Sequence, residues 1–97
     1  MSDQILIHTN DKESLRPLLE SAIERQKKIL QSVLNTTKSR LAGFEERFGM
    51  TSDEFERRLN HREIDESVDF TDWRMEIGML RMLEKKHHTL EEATIVG

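Results

Sequence analysis

With 97 residues the chain has length for a single domain, and its equal shares of apolar and charged residues, 35% each, leave a thin core between wide solvated faces. It contains no cysteine, which excludes a disulfide framework, a cysteine-based zinc site and a thiol nucleophile together. The net charge of −4 argues against nucleic-acid binding, which needs clustered Lys and Arg, so no direct contact with nucleic acid is expected.

The first ten residues lack the charged start and long apolar stretch of a signal peptide, and no apolar run nears the roughly 20 residues that span a bilayer. A cytoplasmic location without membrane contact is the expectation. Gln4-Ile5-Leu6-Ile7-His8-Thr9 is a short apolar run bounded by polar residues. It reads either as a frayed terminus or as one strand that a partner's sheet edge must complete. Residues 1–13 are taken as this arm and 14–97 as one helical domain.

From Ser14 the pattern turns helical, with Ser14 as expected N-cap and Pro17 inside the first turn, where its missing N–H costs nothing. Leu30, Leu34, Thr37, Leu41, Phe44 and Phe48 recur at alternating steps of four and three, the seam of a coiled-coil-like helix. Arg25-Gln26-Lys27-Lys28 lies among Glu20 and Glu24 and reads as a solvated face, with Glu24 and Lys28 spaced for a pair. Gly43 is a weak point, and Gly49 is suited to the left-handed cap that ends the helix.

Thr51-Ser52-Asp53-Glu54 is a capping box, with Met50 and Phe55 placed to form the hydrophobic staple. A short helix is expected from about Ser52 to Leu59, then a polar connector from Asn60 to Ser67. Asp69-Phe70-Thr71-Asp72 opens the last helix. Its stripe is Phe70, Trp73, Ile77, Leu80, Leu83 and Leu90, broadened by Met75, Met79 and Met82, with fraying after Glu92. The fold class expected is therefore all-α: an antiparallel hairpin of two long helices with a short helix at the turn, and with Trp73 packing near Phe44, Phe48 and Phe55. Two such stripes are wider than one helix pair covers, so assembly into a helical bundle, as a homodimer or higher oligomer, is expected.

Glu84 and His87 carry the Glu-x-x-His spacing of di-iron bundles, but no second copy of the motif exists, so they are weak metal candidates and neither cofactor nor metal is expected. His87 and His88 are adjacent, a poor geometry for chelating one ion, and no nucleophile or phosphate loop accompanies any histidine. An enzyme is not expected. The chain's acid excess is concentrated instead. Between Asp53 and Glu76 nine acids face four bases, interleaved with Phe55, Phe70 and Trp73. That pattern points to a protein partner of basic surface, contacted through Phe55, Asp65, Glu66, Asp69, Phe70 and Trp73.

The segment Arg47-Phe48-Gly49-Met50-Thr51-Ser52-Asp53-Glu54-Phe55-Glu56-Arg57-Arg58-Leu59, followed by Glu63-Ile64, Asp69-Phe70 and Trp73, resembles small helical proteins of archaea and cyanobacteria suspected to be antitoxin halves of toxin–antitoxin pairs. The likeness spans Leu41 to Leu83. It implies a basic toxin as partner, neutralised by acidic and aromatic residues that occupy its substrate groove.

Overall fold

The computed structural model describes residues 3–96, so Met1, Ser2 and Gly97 of the expected arm and domain lie outside it. The chain is an all-helical hairpin: α1 (Lys12–Phe48), α2 (Ser52–Asn60) and α3 (Val68–Glu92), with α1 packed along α3. Residues 3–9 carry no regular secondary structure, and no strand forms among the described residues.

The first helix begins earlier than its expected cap at Ser14. Asp11 is the N-cap, its carboxylate accepting the Ser14 N–H at 3.1 Å, and Ser14 is already helical. A short ionised side chain next to the positive helix end is the better cap, and the bond holds the Asp11 carboxyl below its usual range. Pro17 consequently lies past the first turn. The helix runs through it, giving up the N–H that would have bonded the Glu13 carbonyl, at a point where both residues face solvent. Further along, Lys27 rather than Lys28 pairs with Glu24, at 3.3 Å.

Gly49 ends α1 at φ 67°, its N–H bonding the Glu45 carbonyl. Thr51 then caps α2, accepting the Glu54 N–H at 3.1 Å. Only half of the expected capping box forms. The Glu54 carboxylate turns away to bond Arg57 and Arg58, and the Ser52 N–H is taken by the Glu45 carboxylate at 2.6 Å. Arg62 occupies the left-handed region at φ 58° just beyond α2. There Glu63 N–H bonds the Arg58 carbonyl and Arg62 N–H the Leu59 carbonyl, the two crossed bonds of a Schellman cap. Ser67 starts α3 by accepting the Phe70 N–H at 3.1 Å.

The core follows the heptad seam. Leu41, Phe55, Trp73 and Ile77 form one buried cluster near the turn, with Phe44, Phe48, Met50, Leu59, Ile64, Phe70 and Leu80 packed against it. Leu30, Leu34 and Leu83 form a second toward the open end. Thr37 is buried between them on α1. Arg47–Asp69 and Arg40–Glu76 ion pairs step seven residues down α1 for seven up α3. Continuing that register sets Glu92 level with about residue 24 of α1, so the first dozen or so residues of α1 project past the end of α3.

Candidate protein interface

The aromatic members of the expected partner surface are inside the protein. Phe55 and Trp73 are fully buried, with rings stacked 4.0 Å apart, and Phe44 and Phe48 stack on the indole from 5.6 and 5.7 Å. Phe70 is half-buried, edge-on to Phe48. Phe55 and Trp73 therefore have no surface to offer a partner. Their role is to dock the short α2 onto the hairpin, because a nine-residue helix of charged composition stays helical only by burying what apolar area it has.

Asp53, Glu63, Asp65, Glu66 and Asp72 are exposed, Glu54, Glu56, Asp69 and Glu76 are partly buried, and most of these acids are engaged. Glu66 pairs with Arg74 at 2.7 Å, Asp69 with Arg47 at 3.0 Å, Glu56 with Arg81 at 2.8 Å, and Glu76 with Arg40 at 3.2 Å. Arg57 bridges Glu54 and Glu63. Arg57 and Arg58 together hold the Glu54 carboxyl down to about 2, and Arg81 lowers Glu56. Among the described residues Asp53, Asp65 and Asp72 carry no ion pair, although the Asp53 charge still helps to hold Arg81 protonated. Five of the six expected contact residues, Asp65, Glu66, Asp69, Phe70 and Trp73, lie at the start of α3 and its connector. Phe55 joins them only through the core.

Glu84 is exposed on α3, and His87 lies 3.7 Å from Glu91, one turn further along the same helix. No group of three His, Asp or Glu side chains gathers at metal-holding distance among the described residues.

A different surface stands out, one that the sequence reading did not isolate. On the flank of the hairpin opposite the Arg81–Glu56 clasp, a groove of about 420 Å³ runs between the long helices, lined by Arg40, Gly43, Phe44 and Arg47 of α1 and Asp72, Met75 and Glu76 of α3. An α-helix turns about 100° per residue, so residues 7, 11, 18 or 22 positions apart fall within about 40° of one another. Val33, Ile29, Ala22 and Leu18 stand at those separations from Arg40, and Met79 and Met82 follow Met75 on α3 at four and seven. The groove flank therefore continues as an apolar band. Leu18 and Met75 are 65% and 67% exposed, and Ile29, Val33, Met79 and Met82 between 41% and 46%. The signal was present as a second heptad beside the first, masked because its members also broaden the core stripe.

Two further observations bear on this flank. Gly43 sits inside α1 with nothing of the chain within 4 Å of where a Cβ would project, so no contact within the chain requires a residue that costs about 1 kcal/mol against Ala in a helix. Glu76 Oε2 is buried without a hydrogen-bond partner among the described residues, while its sister oxygen holds Arg40. Buried carboxylate oxygens normally find a donor.

No described helix is long and apolar enough to cross a membrane. No family model, curated protein or solved structure matches the chain.

Proposed function

We propose that this chain is a protein-binding helical module, and that its working surface is the groove flank and the projecting start of α1. The observation that carries the reading is the exposed apolar band of Leu18, Ile29, Val33, Met75, Met79 and Met82, aligned on one side of a hairpin whose other side is closed by α2. Continuous apolar patches of this kind on small proteins mark association sites, and methionines adapt well to a partner's shape. Gentle cross-linking in the cells that make the protein tests it. The chain should carry a covalently attached protein, itself or another, and should lose it when Val33 and Met79 are both replaced by Glu. A chain that stays at its own mass in both forms overturns the reading.

A second reading rests on Asp53, Asp65 and Asp72, which lack ion pairs at or near the turn end of the hairpin. It makes this end a docking point for a basic protein, the part that the antitoxin resemblance assigns. Co-expression with the protein encoded beside it tests this. The pair should copurify and the chain should relieve any growth arrest, whereas a harmless neighbour that does not copurify removes the reading.

A further inference from the structure

The chain is far more extended than its length requires. Its radius of gyration is 19.1 Å, where a compact domain of this length has about 12.5 Å. It exposes 7891 Å², where a compact monomer of 11.5 kDa exposes about 5,800 Å². The difference exceeds the roughly 800 Å² that each partner contributes to a standard interface.

Resting on the protein-binding reading above, we infer that the occupant of the groove flank is a second copy of this chain, related by a two-fold axis parallel to the long axis of the hairpin. The result is a four-helix bundle in which α1 of each copy lies on α3 of the other.

Charge placement selects this axis. The groove side of α1 is apolar and cationic, with Ile29 and Val33 followed by Arg40 and Arg47, whereas the groove side of α3 is apolar and anionic, with Met82, Met79 and Met75 followed by Glu76 and Asp72. A two-fold axis along the hairpin keeps every residue at its own level, so what is level within one chain is level across the pair. Arg40 then stands level with Glu76 of the second copy and Arg47 within one turn of its Asp72, Ile29 and Val33 approach its methionines, and Met75 meets the open space over Gly43. Opposite charges at matched level are the pattern of a specific interface. The unpartnered Glu76 Oε2 also gains a cation within its neighbourhood.

The projecting start of α1 supports the same axis independently. Leu19 and Ile23 prolong the seam that faces α3, while Leu15, Leu18 and Ala22 prolong the groove flank. Past the end of α3 this apolar arc is therefore centred between the two directions. In a four-helix arrangement with this axis, that diagonal direction holds the other copy's α1 and nothing else. The two projections then close as a short parallel coiled coil, burying an arc that one chain alone leaves to water.

A cysteine-free chain makes the test direct. Ala22→Cys places one thiol per chain on the facing arc, and oxidation at micromolar concentration should give a disulfide-linked dimer in high yield. An antiparallel pairing of the same flanks, centred between Ile29 and Val33, would hold the two thiols about 27 Å apart, far outside disulfide reach. Sedimentation equilibrium of the unmodified chain should show a dimer, with Val33→Glu and Met79→Glu together weakening it at least tenfold while helicity is retained. A dimer that fails to cross-link through residue 22 overturns the arrangement. A monomer at micromolar concentration overturns the second copy as occupant. If that monomer still carries a different protein lost in the Val33→Glu, Met79→Glu form, the protein-binding reading stands without it; if it carries none, both fall.

Discussion

Trp73 lies flat on Phe55, the ring planes 1° from parallel, and its indole Nε1 donates to Ser52 Oγ at 3.0 Å. One side chain thus ties the start of α3 to both the first residue and the core face of α2. Replacing Trp73 with Ala should cost about 3–5 kcal/mol, the range for a large buried aromatic, and should be the most damaging single change in the chain. Thermal unfolding followed by circular dichroism measures this, and a cost below about 1 kcal/mol would contradict the burial described. Ser52→Ala removes only the hydrogen-bond acceptor, and should cost about 1–3 kcal/mol by leaving a buried indole N–H unsatisfied.

Arg62 closes the Schellman cap of α2 in a conformation that glycine adopts without steric cost. Arg62→Gly should therefore stabilise the protein by about 0.5–1 kcal/mol, since the relief in the folded chain outweighs the added freedom of the unfolded one. Urea unfolding is the measurement. Gly49→Ala should act in the opposite direction by a similar amount, because Gly49 holds the same left-handed conformation at the end of α1.

Acid should release α2 from α3. Glu56 is held below its ordinary value chiefly by its hydrogen bond from Arg81, and Glu54 is held at about 2 by Arg57 and Arg58. Both carboxyls have folded values below the unfolded one of about 4.5. Their contribution is thus complete above that pH and is lost as pH falls toward the folded values, since the unfolded chain takes up protons first. Melting temperature should drop on acidification below about pH 4.5. The deficit of Glu56→Gln relative to the parent chain should be largest at neutral pH, on the order of 0.2–1 kcal/mol, and should shrink as pH falls below about 4.5. A deficit that is constant across this range would mean that Glu56 contributes through packing rather than charge.

The acidic connector offers a separation of stability from recognition. Asp65 and Glu66 are exposed, and Glu66 meets only Arg74 on the surface. Reversing both to Lys should change stability by less than about 1 kcal/mol. If a basic partner docks at this end, the association rate should fall and lose part of its salt dependence. Stopped-flow association at two ionic strengths measures it, and an unchanged rate removes the connector from the interface.

How far the sequence reveals this protein depends on the kind of signal. The Leu30-to-Phe48 seam was readable because a heptad fixes both periodicity and face, and Gly49 with Thr51 marks a helix end and a helix start by backbone chemistry. Arg62 was not readable, because a left-handed cap filled by a non-glycine residue leaves no compositional trace. The packing of Trp73 near Phe44, Phe48 and Phe55 is legible from the two apolar stripes, yet the same sequence also offers Phe55 and Trp73 as partner contacts, since aromatics among acids suit an interface as well as a buried face. Only the position of α2, set by the Arg81–Glu56 clasp and the aromatic stack, decides between the two. The band from Leu18 to Val33 was hidden by being adjacent to the core seam rather than opposite it.

The principal extents of 59 × 27 × 18 Å carry a practical consequence for anyone handling this chain. A particle of such proportions drags more solvent than a sphere of equal mass, so on a sizing column it elutes early and imitates a larger species. Elution volume alone would then overstate how many chains the particle holds. Its tumbling is also direction-dependent, so that amide vectors along the two long helices, being nearly parallel to the long axis, reorient only through the slow end-over-end motion and should relax differently from those of α2 and the connectors. That contrast gives a shape measurement in solution that needs no calibration against globular standards.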